Sequence, residues 1–172
     1  MRLFIAIHLS VTVLDELTSN QGHFKTYGQM RCPAREQLHL TLKFLGECNP
    51  EPITTALSAI TFQPFTLTLS HIGTFNDRIL WAAFKDNPAL TKLKKDINTA
   101  LPAYRDDKPF KPHVTLARIQ TLTDTQEFRK TLQMKIPFLT MQVSQFSLMQ
   151  STLLPTGPVY AEIGRYSAVR SK

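Results

Sequence analysis

Residues 3–9 form a short apolar, β-prone stretch. The period then changes, and Val11, Leu14 and Leu17 fall on one stripe of a helix running to about residue 26. Residues 38–45 alternate, with Pro33 before them and Gly46 and Pro50 after, the pattern of a half-buried strand. A second helix is predicted over 52–60. The runs 65–72 and 79–84, separated by the turn-rich Gly73-Thr-Phe-Asn-Asp77, predict an antiparallel pair that closes the first half. Asn87-Pro88 opens a helix through Leu90, Leu93, Ile97 and Leu101, with Pro102 near its end. The basic, proline-bearing Lys108-Pro-Phe-Lys-Pro112 leads straight into a strand over 113–119. A short helix follows over 125–134, then two long strands, 138–149 and 158–168, around Thr156-Gly157. Strand, helix, strand, strand thus recurs roughly twice, with no low-complexity segment and no flexible linker between the halves.

Composition narrows the class. At 172 residues, 42% hydrophobic and 19% charged, the chain suits one folded domain over 1–172 and is too apolar for intrinsic disorder. Its 20 Lys and Arg against 13 Asp and Glu give a formal charge of +7, so its field attracts polyanions. No basic run forms a tail, and charge alone does not separate a nucleic-acid enzyme from an ordinary basic protein. Cys32 and Cys48 fit neither a disulfide framework nor a metal knuckle and read as reduced thiols. The apolar run before His8 is five residues long, shorter than an export signal core or a membrane span, so the expected location is the cytoplasm, away from membranes.

The one internal repetition is His39-Leu-Thr-Leu42 and His113-Val-Thr-Leu116, placed alike in the two halves. On a strand, His39 and Thr41 project together, roughly 6 to 7 Å apart, while Leu40 and Leu42 face the core. His113 and Thr115 do the same beside Val114 and Leu116. An imidazole and a hydroxyl on each of two rigid strands make a cleft that suits a phosphodiester, which needs a base to activate water and an acid to protonate the departing oxygen. An imidazole pKa of about 6.5 allows one neutral and one protonated histidine near neutral pH, and no metal set or cofactor motif is evident. Thr41 and Thr115 would donate to the non-bridging oxygens.

Further candidates surround these four. Arg118 offers a bidentate guanidinium for phosphate, although strict alternation puts it on the face opposite His113, so a bulge or strand end is required. Lys43 shares the parity of His39 and Thr41 and is expected to line the groove. Phe44 and Phe110 are the preferred base-stacking residues among Phe4, Phe44, Phe75, Trp81 and Phe110, aromatics that strands also use for core. Arg78, before Ile79-Leu-Trp81, is placed to reach RNA phosphate. His8, His23 and His71 have no repeated partner and read as structural or surface residues.

At Arg2-Leu-Phe-Ile-Ala6, His39-Leu-Thr-Leu-Lys-Phe-Leu-Gly-Glu47, Arg78-Ile-Leu-Trp81 and Pro109-Phe-Lys-Pro-His-Val-Thr-Leu-Ala-Arg118, the chain resembles the two-histidine phosphoesterase superfamily. Within it, the resemblance is to the bacterial and archaeal RNA 2′,3′-cyclic phosphodiesterases, also called 2′-5′ RNA ligases. It implies an α+β fold of two pseudo-symmetric lobes, each an antiparallel sheet with outer helices, around a central cleft. It also implies hydrolysis of RNA 2′,3′-cyclic phosphate ends, tRNA fragments among them, to 2′-phosphates by a monomer, with ATP-independent 2′-5′ joining as the reverse-type reaction. His39 would then be the proton donor to the 3′ oxygen and His113 the acceptor from water, an order the residues alone do not supply. Two other readings stay open: a non-catalytic RNA- or nucleotide-binding module, and a phosphodiesterase of small cyclic nucleotides or 2′-5′ oligonucleotides.

Overall fold

A computed structural model describes residues 1–169. Strand β1 (Arg2–His8) shows why its apolar run is unbroken. Leu3, Ile5 and Ile7 enter the main core on one face, while Phe4 and Ala6 meet Met149 and Tyr160 on the other. Ser10 caps α1 (Val11–Phe24) by accepting from the Val13 amide. Of the expected Val11, Leu14 and Leu17, the helix buries Leu17 fully and Leu14 in part, while Val11 is 67% exposed; Val13, Gln21 and Phe24 complete the buried stripe. Polar Gln21 interrupts that stripe and hides it from a purely apolar reading.

A 3₁₀ turn at Lys25–Tyr27 and the short strand β2 (Gly28–Arg31) have no apolar signature and escape the sequence. A second 3₁₀ turn, Arg35–Gln37, delivers the chain to β3 (His39–Glu47). Helix α2 (Pro50–Ser58), capped by Asn49, starts two residues before the expected position. Strand β4 (Phe65–Phe75) runs through the expected turn at Gly73–Phe75, and the reversal into β5 (Ile79–Phe84) falls at Asn76 and Asp77, with φ of 53° and 50°. Asp and Asn tolerate that left-handed conformation better than the apolar residues before them. Helix α3 (Pro88–Ala100), capped by Asn87, buries Leu90, Leu93 and Ile97 on the expected stripe. Strand β6 (His113–Leu122) and helix α4 (Thr125–Leu132), capped by Asp124, follow. The single strand expected over 138–149 is divided at Ser144 into β7 (Thr140–Val143) and β8 (Gln145–Leu154), with β9 (Gly157–Ser167) after them.

All pairings are antiparallel, in two sheets ordered β3-β1-β8-β9 and β2-β6-β5-β4-β7. The lobes are therefore pseudo-symmetric: each motif strand pairs with the strand that precedes its helix, β3 with β1 and β6 with β5. The chain also exchanges strands between lobes. The β4–β5 hairpin, expected to complete the first half, builds the sheet of the second motif, and β8–β9 returns to the sheet of the first. The break at Ser144 is that crossing, since β7 pairs with β4 and β8 with β1. One apolar core joins both sheets to the helices, with Ile5, Leu40 and Leu42 in the same cluster as Leu80, Val114, Leu116, Val13 and Ile97. Among the described residues no helix is long and apolar enough to cross a membrane.

Candidate active site

The motif strands β3 and β6 come against each other where the two sheets meet. His39, Thr41, His113 and Thr115 are all half-buried, and their neighbours Leu40, Leu42, Val114 and Leu116 are buried, as alternation predicts. The two imidazoles are anchored identically. Nδ1 of His39 lies 2.7 Å from the Gln37 carbonyl, and Nδ1 of His113 lies 2.7 Å from the Lys111 carbonyl. A carbonyl only accepts, so each Nδ1 carries hydrogen and donates, leaving each neutral ring an unprotonated Nε2.

The surroundings of the two rings differ. His39 packs between Phe4, 4.9 Å away, and Tyr160, 5.4 Å away and edge-on. Burial holds its pKa below the ordinary histidine value, against the raising effect of the Gln37 carbonyl and with a further lowering from nearby His8. His113 meets Phe75 edge-on at 5.3 Å. Phe75 in turn lies 5.1 Å from Trp81, whose indole covers Gly73; a Cβ there would stand 2.5 Å from the ring. The Trp81 Nε1 is buried without a partner among the described residues.

Beyond each threonine the alternation breaks in the same way. Leu42 and Lys43 are buried in succession, as are Leu116 and Ala117. The ladders slip there: Ile5 and Ala6 oppose Lys43 and Thr41, while Leu80 and Trp81 oppose Ala117 and Thr115. Each strand thus carries a one-residue bulge, which returns the next side chain to the histidine face. That side chain is Phe44 in one lobe and Arg118 in the other. The requirement placed on Arg118 is met, and Phe44 stands 71% exposed, 6.3 Å from Phe4. Burial raises the Tyr160 pKa, while Arg118 and Arg2 pull it down, so the field of Arg118 reaches the wall beside His39. Gln21 supports the second bulge from α1: its Nε2 donates to the Leu116 carbonyl at 2.9 Å and to the Pro33 carbonyl at 3.0 Å.

The same bulge corrects the reading of Lys43. Its side chain is turned inward, 1% exposed, where it donates to Asn98 at 2.8 Å and pairs with Asp106 at 3.2 Å. Lys94 shares that carboxylate at 2.6 Å. Phe110 is also displaced from the expected role, packing against the core with the Lys94 ammonium 5.4 Å above its ring, on the α3 side. It helps to line a pocket of about 440 Å³ with Lys94, Asn98, Asp106 and Lys108. Arg78 is exposed at the β4–β5 turn, where its carbonyl accepts from the Ile119 amide at 2.8 Å.

Tyr160 and Gln21, near the cleft, escaped the sequence reading, and His8 was read only as a structural or surface residue. Tyr160 carries no local signal, since it reaches His39 only through the β8–β9 return. Gln21 was detectable as the polar member of a buried helical stripe. His8 lies opposite His39 in the β1–β3 ladder and 3.3 Å from Glu162. Among the described residues no group of three His, Cys, Asp or Glu side chains is placed to hold a metal ion.

A family model described as the 2′-5′ RNA ligase superfamily matches residues 13–153. Proteins named RNA 2′,3′-cyclic phosphodiesterase from Methanocaldococcus jannaschii and Archaeoglobus fulgidus are each 30% identical, over 95% of this chain and 98% of theirs. Among solved structures, a Thermus thermophilus protein superposes with a TM-score of 0.81 at 30% identity, over 97% of both chains. Escherichia coli LigT complexed with 3′-AMP superposes with a TM-score of 0.83 at 26% identity, over 98% of both. With its duplicated motif, its two exchanged sheets and matches along nearly the whole length, the chain belongs to the 2′-5′ RNA ligase superfamily.

Proposed function

We propose that the protein, acting as one two-lobed catalytic domain over 1–172, hydrolyses RNA 2′,3′-cyclic phosphate ends to 2′-phosphates with His39 and His113 as acid and base. The observation that carries this is the mirrored anchoring of the two imidazoles, each with Nδ1 held by a carbonyl two residues back and Nε2 left free. His113 Nε2 takes a proton from water as its oxygen bonds to phosphorus. The bond from phosphorus to the 3′ oxygen breaks, and His39 Nε2 gives that oxygen its proton. Thr41, Thr115 and Arg118 hold the non-bridging oxygens, where charge is retained through the displacement. Phe44 stacks the terminal base and Arg78 takes a more distant phosphate. The substrates are RNA fragments such as cleaved tRNA, met by a cytoplasmic monomer, and 2′-5′ joining is the same chemistry with a sugar hydroxyl in place of water.

Burial lowers the proton affinity of His39, so the acid role relies on the bound phosphate monoanion to favour the imidazolium. The same observation favours a second reading with the roles exchanged, His39 as base and His113 as acid. Hydrolysis of an oligonucleotide with a 2′,3′-cyclic phosphate, in excess EDTA, tests the reaction with wild type, His39→Ala and His113→Ala. Turnover to a 2′-phosphate by the wild type alone is expected, and an intact oligonucleotide would sink the proposal. A phosphodiester with a 4-nitrophenyl leaving group then orders the roles, because only the variant lacking the acid should recover on it.

A further inference from the structure

Arg31 ends β2, and its partner in the β2–β6 ladder is Arg118. Residues directly opposed on antiparallel strands share a face. The adjacent pair, Met30 and Ile119, packs on the core, so Arg31 and Arg118 project to the other side, that of His113, Thr115 and Trp81. Both are exposed, and the arginines that have carboxylate partners among the described residues are Arg35, Arg129 and Arg165. Their strands lie about 4.8 Å apart, and like charges carried on directly opposed positions repel each other. The protein keeps them opposed on the open face of the sheet, an arrangement that an extended anion would stabilise.

Arg118 is the inner member of the pair, on the strand of His113 itself. Arg31 is one strand further out. The geometry points to Arg31 as the clamp for a second phosphate, the internucleotide phosphodiester on the 5′ side of the nucleotide that carries the cyclic phosphate. A free 2′,3′-cyclic mononucleotide has no such group. Arg31 therefore selects RNA ends over mononucleotides, an assignment that rests on the phosphodiesterase reading above.

Two measurements on the full-length protein test it. The first compares kcat/KM for a dinucleotide ending in a 2′,3′-cyclic phosphate with that for 2′,3′-cyclic AMP. Arg31→Ala should lower the ratio about ten-fold, and Arg31→Lys, which keeps charge but loses the planar fork, should lower it less. An unchanged ratio in a wild type that turns over both substrates overturns the Arg31 assignment and leaves the phosphodiesterase reading standing. The second follows anisotropy of a 5′-labelled trinucleotide ending in a 3′-phosphate against salt, and needs no turnover. Arg31→Ala should reduce the salt slope by about one; the wild-type slope in the variant overturns the assignment even if no substrate is hydrolysed, which would by itself count only against the phosphodiesterase reading.

Discussion

His39 and His113 share a backbone setting and differ in what surrounds their rings. With Phe4 and Tyr160 against it, His39 has its proton affinity reduced by desolvation. If His39 is the acid, kcat/KM, which reports the free enzyme, should fall on the alkaline side below the ordinary histidine value of about 6.5. In kcat the same limb should move to higher pH, because the bound phosphate favours the imidazolium. A stopped pH series on one cyclic-phosphate oligonucleotide checks this, and coincident limbs would remove the phosphate from the protonation of His39. The threonines are simpler. Thr41→Val or Thr115→Val keeps the shape and deletes one donor, with an expected loss of roughly ten- to a thousand-fold in kcat; a rate equal to wild type would exclude that hydroxyl from the transition state.

The motif strands owe their reach to a bulge that alternation alone does not reveal. His39, Thr41, His113 and Thr115 were legible because the first three positions of each motif obey period two and because the pattern occurs twice. Lys43 was misread for the complementary reason, since the extra residue Leu42 exchanges the faces of Lys43 and Phe44. Periodicity was sufficient for α3, where Leu90, Leu93 and Ile97 carry a clean stripe, and insufficient for α1, where a buried glutamine sits in the stripe. Gln21 gives the bulge on β6 its hydrogen bond, and Gln21→Leu should leave the Leu116 and Pro33 carbonyls unsatisfied at a cost of about 1–3 kcal/mol. Urea unfolding measures that cost. The sharper expectation is kinetic: kcat/KM should drop about ten-fold as Arg118 loses its aim, a drop that a destabilising Leu17→Ala on the same helix should not reproduce.

Across the whole molecule, the tie between lobes that stands out is ionic. Asp106, in the segment between α3 and the second motif, accepts from Lys94 and pairs with Lys43 of the first motif strand. Desolvation raises its pKa, but the two ammonium groups bring it below the usual carboxylate value. A depressed carboxylate stabilises the fold above its unfolded pKa of about 3.9, and that contribution is lost as pH falls through the lower folded value. Asp106→Ala should therefore cost on the order of 3 kcal/mol at pH 7, because it strands two lysines that are 1% and 7% exposed, with the gap to wild type closing below pH 3. Paired urea titrations at the two pH values decide it, and an equal gap at both would show that the charge of Asp106 contributes nothing. None of this was readable beforehand, because which loop reaches which lysine is set by tertiary folding, whereas the bilobal α+β fold followed from the repeated pattern and the family likeness.

The exchange of strands between lobes also sets an order of assembly. During synthesis the ribosome releases β1 and β3 early, yet the open edge of β1 finds its partner β8 only after more than a hundred further residues. Until then the Phe4 and Ala6 face has neither Met149 nor Tyr160 to cover it, and an unpaired strand edge is a template for association with other chains. Of the two motif histidines, the one translated first thus has its wall completed last, so a nascent chain stalled before β8 should engage chaperones while carrying an intact His39 motif that lacks Tyr160.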